Sequence, residues 1–379
     1  MDDPGRLAAT EQLARCAELT GDHAGAVTLL RELLDAGGAG PVACAGPVAC
    51  AGPVACPGPM QRRLALQYEL LGQWPLALAA RQAAADAYAG AGEYAEAAVD
   101  RLAAAAHLRS AASFRAALDV LAAAGTDARR ADRPDLLARV DGLRGNVLSR
   151  MGRADEGVPS VRAALDRALA HGLTGPAGEL YQRLADSLEH AGDYRGATQA
   201  YDSAYAFCEA HGDTVTGQLC QACATVVLFH SGRWDRALGL CREVLAAQAA
   251  TPHARAVASG VSGLVYALRG RPGRARPALL DSHATATRIE LVPMQVLATW
   301  GLALLAEPSA AADLYRRVLV RVHETEERHY CVPVLQFAAP LFADLDAQGG
   351  PQPAHGRARA RRRGDRTART AGRAGPRTR

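Results

Sequence analysis

Apolar residues in this chain recur every three or four positions before a short polar turn, which is the spacing of one face of an α-helix. The clearest stretch runs from Tyr181 through Leu184, Ala185 and Leu188 to a Gly-Asp-Tyr turn that begins at Gly192. Glycine after a helix adopts the left-handed conformation at low cost, so it favours a helix end at this position. The pattern predicts helices joined by glycine turns.

The same turn returns along the chain at regular intervals. A small or acidic first residue is followed by a polar residue and often by an aromatic one, and the starts are Gly21, Gly72, Ala112, Gly152, Gly192, Gly232, Gly270 and Glu307. After the first interval the spacings are 40, 40, 40, 40, 38 and 37 residues. A period in this range is typical of a solenoid of helix pairs. We therefore predict an all-α superhelix of about eight helical hairpins, in which the out-of-phase turn at Gly92 connects adjacent hairpins.

The first interval is longer, at 51 residues, because a low-complexity tract interrupts it. Residues 39–56 are three copies of Ala-Gly-Pro-Val-Ala-Cys, and removal of two copies shortens the interval to 39. Proline and paired glycines oppose a helix there. We predict a loop over residues 39–59.

The residue five positions after each turn start is small in all eight copies. These residues are Ala26, Ala77, Ala117, Gly157, Ala197, Ala237, Ala275 and Ala312. Small side chains suit positions at which two helices cross closely.

Composition agrees with packed helices and separates a body from a tail. Hydrophobic residues make up 49% of the chain and aromatic residues only 5%, and much of the difference is alanine, the best helix former. All 43 basic residues are arginine. Residues 349–379 contain ten of them and a single Asp, whereas the other 33 face 38 acidic residues. We predict a mildly acidic helical repeat domain over residues 1–348 and a disordered arginine-rich tail over 349–379.

Targeting signals and membrane spans are not evident in the sequence. The N-terminus is acidic and lacks the apolar segment of a signal peptide. No run of 18 apolar residues is present. Nine cysteines without a disulfide-like arrangement fit a reducing compartment. A cytoplasmic protein with no membrane contact is expected.

The best unit resembles the tetratricopeptide repeat (TPR). It pairs the first-helix residues named above with a Gly-Asp-Tyr turn and with Ala197, Tyr201 and Ala204 on the second helix. The resemblance covers about residues 5–345, with a longer unit than the 34 residues of that repeat. The longer unit and the segments around Trp234 and Trp300 resemble the helical region of large ATP-dependent LuxR-family transcriptional regulators of the actinobacterial type. Those proteins also carry an ATPase and a helix-turn-helix domain, whose motifs we do not find here.

The resemblance implies a ligand groove along the first helices of the hairpins. Carried onto this sequence, the groove positions are Arg139, Asn146, Glu179, Gln182, Asp186 and Glu189. The last four of these, from Glu179 to Glu189, stand three or four residues apart and so share one face of a helix. Later units place Leu219, Val226 and Phe229 there, which predicts a groove that grades from polar to apolar. The alternative is an ordinary solvated helix face.

Catalytic, metal and cofactor chemistry is not predicted. Cys220 and Cys223 form a Cys-x2-Cys pair, but a zinc site would need a second pair, so we interpret them as core residues. The cysteines of the hexamer tract do not have a usual zinc spacing. His329-Tyr330-Cys331 is interpreted as a helix end with Tyr330 and Cys331 in the core. No catalytic residue, no metal ligand and no cofactor are expected.

The sequence thus favours a non-catalytic scaffold that binds a protein or peptide partner or a small effector. The alternative is a nucleic-acid-associated protein, which would bind phosphate backbones through the basic tail. The tail has no aromatic residue for base stacking, and a frameshifted, inert tail is the favoured interpretation of its arginine-rich sequence.

Overall fold

The computed structural model describes residues 4–37, 57–248 and 250–349. Within these ranges the chain forms seventeen α-helices and no strand. The helices are α1 (Pro4–Thr20), α2 (His23–Gly37), α3 (Pro57–Leu70), α4 (Trp74–Gly90), α5 (Tyr94–Ser110), α6 (Phe114–Arg130), α7 (Pro134–Arg150), α8 (Ala154–Ala170), α9 (Thr174–His190), α10 (Tyr194–Ala210), α11 (Thr214–His230), α12 (Trp234–Ala246), α13 (Pro252–Leu268), α14 (Pro272–Arg288), α15 (Val292–Ala303), α16 (Pro308–Glu324) and α17 (Cys331–Gly349). The predicted all-α superhelix of about eight hairpins is confirmed, with α17 following the eighth.

Successive helices from α4 to α12 begin 20 residues apart, which is half of the 40-residue period found in the sequence. From α4 to α11 every helix has 17 residues, and the next begins 20 residues later. A residue with positive φ stands in each connection at the same step, namely Gly72, Gly92, Ala112, Asp132, Gly152, Gly172, Gly192, Gly212 and Gly232. The connection predicted at Gly92 is confirmed, since it joins α4 to α5. Turns within and between hairpins therefore have the same geometry.

The eight small residues lie at close helix crossings, as predicted. The seven alanines are at most 1% exposed. Gly157 on α8 is the tightest position, because an added Cβ would lie 2.7 Å from the backbone nitrogen of Ser149 and closer still to the carbonyl oxygen of Gly145. The backbones of α7 and α8 thus touch where no side chain fits between them.

The odd-numbered helices form an inner layer and the even-numbered helices an outer one. Helix α7 packs on α9, α11 on α13 and α13 on α15, and no consecutive even-numbered pair in the described ranges packs comparably. All twelve residues of α15 are buried. The inner helices therefore supply both the core and the candidate site.

The superhelix closes on itself through contacts between remote hairpins. The indole Nε1 of Trp74 donates a hydrogen bond to the carbonyl oxygen of Arg288 at 2.7 Å, and the Trp74 ring stacks on His107 with 4.0 Å between centroids. The backbone N–H of Glu326 donates to the carbonyl oxygen of Ala112 at 2.8 Å. Hairpins more than 200 residues apart are thereby joined.

The predicted loop ends earlier than the sequence suggested. Helix α3 begins at Pro57, not after residue 59, because proline is tolerated in the first helical turn, where backbone N–H groups lack intrahelical partners. Residues 39–56, with the repeated hexamers, and the tail from residue 350 lie outside the described residues. Among the described helices, none combines the length and the apolar character that a membrane span requires.

Candidate ligand-binding site

A buried polar cluster lies on the inner layer, centred on Asp186 of α9. Arg150 donates two hydrogen bonds to this carboxylate, from Nη2 to Oδ1 at 2.6 Å and from Nε to Oδ2 at 3.0 Å. The side-chain amide of Asn146 adds a third, from Nδ2 to Oδ2 at 2.6 Å. Burial alone would raise the pKa of Asp186, but the charges of Arg150, His190 and Arg109, together with the hydrogen bonds from Arg150, outweigh it and hold this pKa well below its usual range. Asp186 is therefore ionised at neutral pH.

A second arginine approaches the same carboxylate from α5. Arg109 Nη1 donates to Asn146 Oδ1 at 3.2 Å and lies 3.8 Å from Oδ2 of Asp186. Burial, together with the nearby charge of Arg150, lowers the pKa of Arg109 to about 9. Its Nε has no hydrogen-bond partner among the described residues. Arg109 is thus a buried cation that is only partly compensated.

The connection between α16 and α17 closes the cluster on one side. The hydroxyl of Tyr330 donates to Glu189 Oε1 at 2.5 Å, and the backbone N–H of Tyr330 donates to Glu327 Oε1 at 3.1 Å. Burial raises the pKa of Glu189 to about 8, with a further contribution from Asp186, and burial also raises the pKa of Glu327. Glu189 is therefore protonated at neutral pH and adds no negative charge to the interior.

The structure brings the six predicted groove residues to the inner layer, but not onto one open surface. Asn146, Gln182, Asp186 and Glu189 are each at least 90% buried. Arg139 and Glu179 form an ion pair of 3.2 Å between Nε and Oε1, and each side chain is about one third exposed. The solvated face weighed as the alternative does not describe the four buried residues. Ligand binding by these residues stays a prediction.

Sequence reasoning missed the partners that bury these groups. Arg150, Glu327 and Tyr330 were not among the predicted groove residues, and Tyr330 reaches Glu189 across 141 residues. For Arg109 a signal was available, because it stands 40 residues before Ser149 and 80 before Glu189, at the same place in the repeat.

A cavity of about 210 Å³ opens between α5, α7 and α9. Its polar lining residues are Arg139, Glu179 and Arg183, and the rest of its wall is apolar. The guanidinium of Arg183 forms no ion pair with a described residue, and its Nε is buried without a hydrogen-bond partner among them. The site therefore offers a partly exposed ion pair, an unpaired cation and an apolar wall.

The cysteines occupy core positions, as interpreted from sequence. Cys220 and Cys331 are fully buried, whereas Cys223 is only partly buried and packs against the edge of the core. Tyr330 is buried too, but it stands just before the start of α17 and not at a helix end. No group of three or more His, Cys, Asp or Glu residues in the described part of the chain is arranged to hold a metal ion.

Comparison with known proteins shows the fold. No protein-family model matches the sequence, and no curated protein matches it. RapI in its apo form is similar with a TM-score of 0.55 and 9% identity, over 75% of this chain and 99% of that chain. A Rap protein complexed with Competence and Sporulation Factor matches with a TM-score of 0.49 and 12% identity, over 91% and 100%. A STAND protein with a tetratricopeptide repeat sensor from Pyrococcus horikoshii matches with a TM-score of 0.46 and 17% identity, over 77% and 44%.

At 9% identity the likeness to RapI shows a shared fold alone. The fold is a TPR-like helical repeat. The TPR part of the sequence resemblance is thereby confirmed, whereas the LuxR-family part stays a prediction.

Proposed function

We propose that this chain is a non-catalytic scaffold that binds a peptide, a protein segment or a small effector on the inner face of α5, α7 and α9. The observation that carries the proposal is the cavity of about 210 Å³ between these helices, two of whose lining residues, Arg139 and Glu179, are predicted groove residues. Ligand sites are concave, largely apolar and equipped with a few polar groups. This cavity has those features, although it is smaller than a typical drug-sized site.

The position of the cavity also supports a way to transmit binding. Helix α5 contributes the cavity residues Val99 and Ala103. The same helix carries His107, which stacks on Trp74 and lies 3.1 Å from Oε2 of Glu290 in the contact that closes the superhelix. A ligand that shifts α5 would therefore change the closure contact. Binding would then favour one curvature of the array over another.

We also propose that this scaffold corresponds to the sensor region of a LuxR-family transcriptional regulator, and this part of the proposal rests on the sequence resemblance around Trp234 and Trp300. On that assignment, ATPase and DNA-binding functions would come from other domains. Nucleic-acid binding through residues 349–379 also stays a prediction, since nearly all of that segment lies outside the described residues. Loss of salt-dependent DNA affinity on deletion of the segment would support it.

A peptide library titrated against the full chain tests the proposed function, with binding followed by fluorescence anisotropy. Ala103→Phe fills the cavity from α5, and Ala163→Phe makes the same change at an exposed position on the outer helix α8. We expect Ala103→Phe to weaken binding of the selected peptides at least about tenfold, which corresponds to 1.4 kcal/mol of binding free energy. Ala163→Phe should leave their affinity unchanged. Equal loss in both variants, no loss in either, or no saturable binding by the wild-type chain would overturn the proposal.

A further inference from the structure

The inner polar cluster contains three arginines that differ in how they are paired. Arg109, Arg150 and Arg183 all interact electrostatically with Asp186, whereas burial raises the pKa of the two other carboxyl groups of the cluster, Glu189 and Glu327. The adjacent Arg139 and Glu179 neutralise each other as an ion pair. Of the three arginines, only Arg150 donates hydrogen bonds to a carboxylate of the described residues.

Another buried ionic cluster in this fold shows the opposite balance. On α3 to α5, Arg62 donates to Asp100 and Glu96, and Arg81 donates to Asp100 and Glu69. Two arginines there share three carboxylates, and each guanidinium is hydrogen-bonded. Buried charges are normally paired in this way. The lack of a hydrogen-bonded carboxylate at Arg109 and Arg183 is thus not a general property of the solenoid.

Arg183 is the cation of the cavity lining that has no ion-pair partner among the described residues. No described residue accepts a hydrogen bond from its guanidinium or lies within ion-pair distance of it, and burial lowers its pKa. Behind it, Arg109 is 8% exposed and its Nε also lacks a partner among the described residues. The half-buried Arg183 and the buried Arg109 each keep a buried Nε donor without a partner among the described residues, and such donors beside one cavity call for an anionic partner.

The remaining wall of the cavity restricts what this anion can be attached to. The apolar lining residues are Val99, Leu102, Ala103, Ala106, Leu136 and Leu143. Liquid water takes about 30 Å³ per molecule, so a volume of about 210 Å³ corresponds to about seven water molecules. A group of one or two amino-acid residues fills a space of this size. A small apolar group that bears a carboxylate meets both requirements.

We propose that this cavity binds the carboxylate of a small amphipathic ligand, namely the C-terminal residue of a peptide or a free carboxylic acid of that size. Arg183 receives the carboxylate, Arg109 adds positive charge behind it, and the apolar wall holds the ligand's hydrocarbon part. This inference rests on the proposed function and specifies the chemistry of the same site.

The test compares N-acetyl-leucine with N-acetyl-leucinamide, two probes that differ in the carboxylate, by calorimetric titration of the full chain. We expect the acid to bind at least about tenfold more tightly than the amide, a difference of 1.4 kcal/mol, and its affinity to fall with added salt. A tripeptide that ends in leucine, as acid and as amide, distinguishes a peptide terminus from a free acid by whether the longer acid binds more tightly.

Arg183→Met removes the proposed anchor and keeps most of the side-chain volume, and Arg162→Met on the exposed face of α8 is the matched control. We expect Arg183→Met to abolish the preference for acid over amide and Arg162→Met to retain it. Without ligand, Arg183→Met should raise the midpoint of urea unfolding, since it removes an unpaired, half-buried charge. A merely structural arginine would give the opposite shift.

Several outcomes would overturn the inference. Equal affinity for acid and amide would do so while leaving the proposed function intact, provided that the library peptides still bind. An unchanged preference in Arg183→Met would also overturn it. Absence of saturable binding for both probes up to about 10 mM, which corresponds to less than 3 kcal/mol of binding free energy, would have the same consequence.

Discussion

Tyr330 donates a hydrogen bond of 2.5 Å to Glu189, which lies 141 residues earlier in the chain. Both residues are buried, so water cannot replace the bond if it is lost. Removal of one partner from a buried pair costs about 1–3 kcal/mol. We expect Tyr330→Phe to lower the free energy of unfolding by about that amount, measured by urea unfolding.

Tyr315→Phe is the matched control for this substitution. Tyr315 is also buried, and its hydroxyl forms no hydrogen bond with any described residue. Its loss should change stability by no more than about 0.5 kcal/mol. Equal effects of the two substitutions would show that the bond to Glu189 contributes nothing.

Glu189 makes stability depend on pH in a defined direction. Burial raises its pKa to about 8 in the folded chain, against about 4.3 in an unfolded chain. Between these values the folded state holds a proton that the unfolded state has released, so stability falls as pH rises. Burial lowers the pKa of His190 to about 3 and of His329 to about 4. These histidines affect stability below about pH 6.5, where the unfolded chain takes up their protons.

The window from pH 6.5 to 8 therefore isolates the buried carboxyl groups. We expect the free energy of unfolding to decline there, by at most about 1.4 kcal/mol per pH unit from Glu189. Glu189→Gln should make this decline shallower, and the decline that remains should come from Glu327. The substitution Glu93→Gln, at an exposed position, should leave the decline unchanged. An identical slope in Glu189→Gln and wild type would contradict the assignment.

Two glycine-to-alanine substitutions should change the stability of the fold in opposite directions. Gly192 has φ of 79° and space for a Cβ, so Gly192→Ala introduces only backbone strain, worth about 1–2 kcal/mol. Gly239 lies within α12, where a Cβ would also meet no atom, so Gly239→Ala should stabilise by about 0.5–1 kcal/mol. Thermal unfolding of both variants checks the pair, and shifts of the same sign would refute the left-handed turn.

Closure of the superhelix depends on Trp74. Trp74→Phe removes the hydrogen bond to Arg288 and should cost about 0.5–1.5 kcal/mol, with faster amide hydrogen exchange at residues 289–291. Trp234→Phe removes a bond to the nearby carbonyl of Phe229 and should leave exchange at 289–291 unchanged. Unaltered exchange in Trp74→Phe would mean that the closure contact is not formed in solution.

The repeat was predictable because its signals are local. Turn glycines and the small residues at helix crossings recur within one hairpin, so each copy reinforces the others. The 20-residue step was missed partly because Asp132 occupies a positive-φ position where glycine would have marked the turn. Gly172 and Gly212 carried the missing signal.

The candidate site was only partly predictable. The repeat placed Asn146, Asp186 and Glu189 on the inner face correctly. Their burial depends on closure of the superhelix, which brings Tyr330 against Glu189 through contacts between remote hairpins. No local pattern encodes such a contact, so the predicted open groove became a mostly buried cluster beside a small cavity.

Ligand binding on the inner face of α5, α7 and α9 can be measured by hydrogen exchange of the full chain with and without its tightest library peptide. We predict that protection increases at residues 99–106, 136–143 and 179–183. Protection confined to the outer helices α6 and α8, with none at these three segments, would contradict binding on the inner face.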